Sequence, residues 1–434
     1  MNRGHIRSHD ILVVKDGATT GKVSLVREDF PFQPAVVNEH VCLCRPLQRL
    51  YSPYLFYYLF SEEGQKRILE NFQGSAQGGI NQQFAPNVVV PIAPIGEQKR
   101  IVTQVEALLT QVNASRERLA RVPAILKRFR QSVLAATYSG RLTAEWREAQ
   151  TDLEPASVLL ERIRKERKAN LGSRYKEPVA PDMSELPEIP EGWEWVQLRS
   201  VSDIKGGVTK GERRREGLIT LPTPYLRVAN VQRGFLDLSE IKTIEATTKE
   251  IEELRLLAGD ILFNEGGDRD KLGRGWVWEN QISDCIHQNH VFRARLLDAR
   301  IQPKFISWYG NSNGSQYFVD QGKQTVNLAS LSITKLGELP VPMPPTIEQA
   351  EIVRRVETLF ALSDAIERRV EAAQLRAKSL TQSILARAFR GELVPTEAEL
   401  ARLEGREYET AEMLLERIQK MPTQEKQPSK RRSE

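Results

Sequence analysis

The chain has 434 residues, 27% of them charged and 40% hydrophobic, with a formal net charge of +5. At roughly 150 residues per domain this is about three domain-sized units, each able to bury a core, and the balance excludes a collagen-like or wholly disordered chain. The longest apolar runs, 53–60 and 88–95, cover eight positions each, far short of the about 20 that a membrane-spanning helix needs. Along the chain, residues 10–14, 22–26 and 35–44 alternate or run β-branched and are predicted strands. Gly17-Ala18-Thr19-Thr20-Gly21-Lys22 has one residue too few for a phosphate loop, and Val23 stands where a Mg²⁺-holding Ser or Thr is needed, so it reads as a turn between strands. A helical patch at 53–71 is followed by the Pro-rich Val90-Pro91-Ile92-Ala93-Pro94 and a long helix from Glu97. Residues 168–192, with four prolines, form a linker. Further strands are predicted at 218–221, 225–231 and 289–296, then a helical patch at 303–318, the Pro-rich 340–345 and a second long helix from Glu348. The basic tail after Met421 is predicted to be disordered.

The chain repeats itself. Ile95-Gly96-Glu97-Gln98 matches Thr346-Ile347-Glu348-Gln349 at an offset of 251, and Gln131-Ser132-Val133-Leu134-Ala135 matches Gln382-Ser383-Ile384-Leu385-Ala386 at the same offset. Asp10-Ile11-Leu12 pairs with Asp260-Ile261-Leu262, and His40-Val41 with His290-Val291, at 250. A period this long is a duplication of whole domains rather than a solenoid repeat. The stretches after Glu97 and Glu348 resemble each other closely, while 8–93 and 258–344 share only landmarks. The second copy opens near Gly192-Trp193, whose counterpart would lie about 57 residues ahead of Met1, so the first copy is expected to lack its opening segment.

From Glu97 the apolar residues Ile101, Val105, Leu108, Val112, Leu119, Val122, Leu126, Phe129 and Val133 keep alternating steps of four and three, broken once at Ser115. Ile352, Val356, Leu359, Ile366, Val370, Ala373, Ala377, Leu380 and Ile384 do the same around Ser363. These are coiled-coil seams, and two of equal length in one chain favour mutual, antiparallel pairing. About 40 residues make a spacer on the order of 60 Å. Pro123 is expected to kink or break the first helix, and Gly140 and Gly391 to end the two helices.

Gly-Trp, Asp-Ile-Leu, a Gly/Gln/Asn-containing loop (Gly322-Lys323-Gln324-Thr325-Val326-Asn327; Gly78-Gly79-Ile80-Asn81), a Pro-rich Glu-Gln segment and a long helix, given twice, resemble the specificity subunit of type I restriction–modification systems. The resemblance covers roughly 8–420. It implies two target-recognition domains that each read half of a split double-stranded DNA site across a coiled-coil spacer. It also implies a non-catalytic scaffold for two methyltransferase (modification) and two ATP-dependent restriction subunits, without a cofactor. The fold expected is α+β: a first recognition domain at 1–93, spacer helix and following helix at 94–167, linker at 168–191, second recognition domain at 192–345, second spacer helix and following helix at 346–420, and the tail at 421–434. Cys42, Cys44 and Cys285 form no C-x-x-C pair, and no signal-like apolar core follows Met1, so the cytoplasm is the expected compartment.

Chemistry points the same way. His287-x-x-His290 and His5-x-x-x-His9 lack further ligands for a metal site and read as structural histidines, Glu240-Ile241-Lys242 has no Pro-Asp strand before it, and no Asn-Pro-Pro-Tyr/Phe motif is found. DNA contact has more support. Residues 199–215 carry a local excess of four positive charges among glycines, with Lys205, Lys210, Arg213, Arg214 and Arg215 as candidate phosphate contacts. Arg269, Lys271 and Arg274 follow in the next loop. Lys323 and Gln324 add a cation and an amide able to pair with adenine. Lys15, Lys22 and Gln77 occupy or flank the first copy's matching loops. A coiled-coil protein–protein scaffold without sequence-specific DNA binding is the alternative.

Overall fold

The computed structural model describes residues 4–32, 34–47, 50–70, 72, 78–80, 82–209, 218–267, 271–324 and 329–420. In chain order the first copy forms β1 (Ile11–Val14), β2 (Val23–Leu25), β3 (Val41–Cys44), α1 (Ser52–Phe60), α2 (Glu62–Leu69), the long α3 (Ile95–Tyr138), α4 (Ala144–Glu148) and α5 (Ala156–Leu171). The second opens with β4 (Glu194–Gln197), α6 (Leu198–Val201), β5 (Ser202–Lys205), β6 (Thr220–Leu226), β7 (Val231–Gln232), β8 (Phe235–Leu236), β9 (Lys242–Thr247) and α7 (Thr248–Leu254). It continues with β10 (Ile261–Asn264), β11 (Gly266–Gly267), β12 (Gly275–Val277), β13 (Ile286–His287), β14 (Val291–Leu296), α8 (Pro303–Asn311) and α9 (Gly314–Gln321). β15 (Lys323–Gln324), β16 (Ala329–Ser330), α10 (Ile333–Gly337), β17 (Pro340–Met343), the long α11 (Thr346–Phe389), α12 (Glu397–Glu404) and α13 (Ala411–Gln419) complete it. The chain divides into two compact units, Met1–Val122 with Arg368–Glu434, and Pro123–Glu367.

In the first unit β1 is the centre of an antiparallel sheet in the order β2-β1-β3, with Ile11 opposite both Leu25 and Cys44. Its alternation puts Ile11 and Val13 into a core with Cys42, Tyr58, Leu59, Ile68, Ile80 and Phe84. A second core joins Tyr54 and Tyr57 of α1 to Ile101, Val102, Val105 and Val112 of α3 and to Ile384, Leu385 and Ala388 of α11. The Tyr51 side chain makes no capping bond at the start of α1. Instead Gln98 reaches across: its Oε1 accepts from the Tyr51 N–H at 3.1 Å and its Nε2 donates to the Ala93 carbonyl at 2.8 Å.

The second unit repeats that device 251 residues on. Gln349 Oε1 accepts from the Gln302 N–H at 3.0 Å, ahead of α8, and its Nε2 donates to Pro344 at 2.8 Å. The main sheet runs β12-β10-β14-β5, so β10 and its two flanking strands repeat the β1 sheet and β5 adds a fourth strand. β13-β6-β9 is a separate sheet whose Leu226 shares a core with Leu262 and Val291 of the main sheet. The region expected to give strands at 218–221 and 225–231 instead gives one strand through Pro222 and Pro224. Both prolines have the same parity, so their missing N–H groups fall on the side away from β9, where no strand among the described residues pairs with Pro222 or Pro224.

The unit's largest core gathers Val133 and Tyr138 of α3 with Trp193, Trp195, Phe305 and Ile352, Val353 and Val356 of α11. Arg130 on α3 meets Asp364 at 2.5 Å and Glu367 at 3.0 Å. Gly140 and Gly391 follow the two long helices at φ +70° and +75°, a conformation that suits glycine. The expected break at Pro123 does not occur, for α3 runs through it; the ring removes a single i→i−4 bond, and Leu126 and Val133 beyond it are buried. Of the two seam serines, Ser115 is exposed and Ser363 fully buried. Among the described residues no helix is long and apolar enough to cross a membrane.

Candidate nucleic-acid interface

Each unit builds one end of its sheet by the same pattern of main-chain bonds. In the first, Val14 N–H donates to Lys22 O (2.9 Å), Gly21 N–H to Val14 O (2.8 Å), Lys15 N–H to His40 O (2.8 Å) and Ile80 N–H to Lys15 O (2.7 Å). In the second, Asn264 N–H donates to Arg274 O (3.0 Å), Gly273 N–H to Asn264 O (3.1 Å), Glu265 N–H to His290 O (3.0 Å) and Leu331 N–H to Glu265 O (2.8 Å). Gly21 and Gly273 turn the chain at φ +83° and +62°. The segment 17–22 is thus the tight connection between β1 and β2, as its spacing suggested.

The candidate residues that are described lie at or beside this sheet end. Lys15 leaves β1, half-buried, with Nζ 3.4 Å from the Glu39 carbonyl, and exposed Lys22 enters β2. In the second unit Lys205 ends β5, exposed and opposite Arg293 of β14. Lys271 and half-buried Arg274 lie in the connection into β12, and Arg274 Nη2 is 3.4 Å from the Val228 carbonyl. Lys323 and Gln324 form β15, whose partner β16 also pairs with β11 just beyond β10. Lys210, Arg213, Arg214, Arg215, Arg269 and Gln77 lie outside the described residues. Lys205 leads directly into the stretch that holds the first four.

The histidines divide. His287 is buried; its Nδ1 donates to the Val291 carbonyl at 2.6 Å, and burial pushes its pKa down to about 4. His290 differs from the expected structural histidine: it is half exposed and pairs through Nδ1 with Glu265 Oε2 at 2.5 Å. His40 pairs likewise with Asp16 Oδ1 at 2.7 Å. Among the described residues no group of three or more His, Cys, Asp or Glu side chains could hold a metal ion. Glu240 lies at the surface between Lys242 and Arg227, which hold its pKa down.

What carries the sheet end was only partly visible beforehand. Arg45 grips Asp10 with two bonds of 2.7 Å, and Arg295 grips Asp260 with two of the same length. Each buried aspartate also accepts from a backbone N–H three residues earlier, Arg7 or Leu257, at 2.7 Å. The Asp-Ile-Leu landmark is therefore a clamp between the strand that precedes the site and the strand that leaves it. Extending the 250-residue offset to Arg45 and Arg295 would have revealed it.

Two antiparallel sheets with the same main-chain frame at one end, each in a unit that also holds parts of two long helices, define a duplicated α+β chain. The family model for the type I restriction modification DNA specificity domain matches residues 5–124 and 190–375, one match per copy. The chain belongs to this family. It is 30% identical over 352 residues to the type I restriction enzyme EcoKI specificity subunit of Escherichia coli K12, covering 80% of this chain and 67% of that one. It is 31% identical over 373 residues to the EcoBI specificity subunit of Escherichia coli, covering 83% and 70%. Among solved structures, the HsdS subunit from Thermoanaerobacter tengcongensis has the same fold at 19% identity, with a TM-score of 0.54 over 91% of this chain and 84% of that chain. A chain from a structure on complex assembly and conformational transition of the type I R-M system matches at 19% identity and a TM-score of 0.59, over 91% and 85%.

Proposed function

We propose that this chain is the DNA-recognition subunit of a type I restriction–modification complex and itself catalyses nothing. Each sheet end reads one half of a bipartite site in double-stranded DNA, and the paired α3 and α11 act as an antiparallel coiled-coil spacer. Its protein partners are two methyltransferase subunits and two ATP-dependent restriction subunits, and it works in the cytoplasm without a cofactor of its own. The observation that carries this reading is the recurrence of one sheet end, with the same main-chain frame and a basic residue, Lys22 or Arg274, at the matching position, in both matches to the specificity family. The pairing of α3 and α11 is supported within each unit, where Ile101, Val105 and Val112 share a core with Ile384, and Val133 with Ile352 and Val356.

The test is selection from a randomised duplex library by the chain assembled with its modification subunits at fixed salt. Two short specific half-sites separated by an unspecified gap are expected. Retention without sequence enrichment would favour the scaffold alternative.

A further inference from the structure

We infer that His40 and His290 are base-reading residues, each held by a carboxylate so that its outer ring nitrogen accepts a hydrogen bond from an amino-bearing base edge, adenine N6 or cytosine N4. This rests on the DNA-recognition reading above. Both histidines immediately precede the strand that leaves the sheet end, and both carbonyls accept from the residue just after the neighbouring strand, Lys15 or Glu265. Both rings pair through Nδ1, with Asp16 at 2.7 Å and Glu265 at 2.5 Å; His40 Nε2 also lies 3.7 Å from the exposed Glu39 carboxylate, beyond hydrogen-bond reach.

The two carboxylates do not come from matching positions. The 250-residue offset that aligns the histidines puts Lys15 against Glu265 and Asp16 against Gly266. The same dyad is thus built twice from different backbone positions, which a shared backbone does not require.

A structural role does not account for it. The ring of His40 is 57% exposed and that of His290 54%, and ion pairs this open contribute little to stability. What the carboxylate does is fix the ring. In the neutral imidazole, an acceptor at Nδ1 selects the Nδ1–H tautomer and leaves the Nε2 lone pair as an acceptor on the opposite side. Acceptors in the major groove match the exocyclic amines of adenine and cytosine. A phosphate would instead meet a lone pair beside a carboxylate, while the lysines nearby, Lys22 in one unit and Lys205 in the other, suit phosphate.

The experiment uses the chain assembled with its modification subunits and a library randomised in both half-sites. Parent, His290→Ala, His290→Gln, Glu265→Ala and His40→Ala are compared at several salt concentrations. His290→Ala is expected to lower enrichment of adenine or cytosine at one position of one half-site about tenfold, leaving the other half-site and the salt slope unchanged. His40→Ala should do the same in the other half. His290→Gln should keep part of the preference, since its amide carbonyl also accepts, and Glu265→Ala should blur the same position that His290→Ala loses. Unchanged base preferences would overturn the inference, as would a uniform loss of affinity with a shallower salt slope, the mark of a phosphate contact. A parent that selects no sequence would overturn the recognition reading and this inference with it; a parent that selects a site which His290→Ala selects equally well would overturn the inference alone.

Discussion

Replacing Glu348 by Ala should unfold the second unit far more readily than the equivalent change, Glu97→Ala, unfolds the first. Glu348 is fully buried and accepts from Thr143 Oγ1 at 2.7 Å, from Arg147 Nε and Nη2 at 3.0 and 2.8 Å, and from Trp193 Nε1 at 2.9 Å. Arg147 also lies over the Trp193 ring, 5.8 Å from its centroid. Removing the carboxylate strips a mostly buried guanidinium of its counter-charge, leaving it the Gly140 carbonyl and the Thr143 hydroxyl, and leaves an indole N–H unpaired. Breaking a buried pair in this way costs about 3–5 kcal/mol. For a unit of this size that is a fall in Tm on the order of 10 °C. Glu97 is bound differently, for it accepts from the Glu397 N–H at 2.8 Å, while Glu397 keeps Arg100 at 2.6 Å and Arg406 at 2.8 Å. Its loss orphans no cation and should cost only about 1–3 kcal/mol. The assay can separate the units because all six tryptophans lie within Pro123–Glu367. Tryptophan fluorescence on heating should shift strongly for Glu348→Ala and little for Glu97→Ala, and calorimetry, which also sees the tryptophan-free first unit, should show the smaller shift for Glu97→Ala. Equal shifts, or a Glu348→Ala transition within about 0.5 kcal/mol of the parent, would refute the reasoning.

Replacing Arg213, Arg214 and Arg215 by Ala should weaken DNA binding and flatten its salt dependence, by about 0.9 in log–log slope for each phosphate no longer neutralised; an unchanged slope would show the three to be solvated. Because burial holds His287 down to about 4, the unfolded chain binds the proton first as pH falls. The stability carried by the neutral ring is full above about 6.5 and is lost towards pH 4. Between pH 7 and pH 5 the parent should therefore lose about 2 kcal/mol that His287→Gln does not lose, read from urea unfolding by tryptophan fluorescence. Inserting four residues beside Ser115 adds about 6 Å of helix and should change the preferred gap by roughly one or two base pairs while the bases read stay the same. A folded insertion mutant that selects the parent's gap would refute the spacer reading.

How much of this was legible in the sequence depends on whether a feature is local. The strands at 10–14 and 22–26, both long helices and their glycine ends follow from periodicity and punctuation, and they lie close to where the pattern put them. Alternation fails where packing overrides it, as in β6, whose prolines make one strand look like two. Pairings across tens of residues, such as Asp10 with Arg45, leave no local trace, yet the duplication makes them readable, since a long-range pair that recurs at one offset has to satisfy the same geometry twice. That route has a physical limit. A hydrogen bond constrains where two atoms meet, not which residue supplies them, so Asp16 and Glu265 can hold equivalent histidines from unmatched positions. Aligning the copies residue by residue finds the clamp and misses the dyad. Features that the two copies build from unmatched residues are therefore the ones that the repeat conceals, and on the recognition reading proposed above they are the places where base preference should be sought.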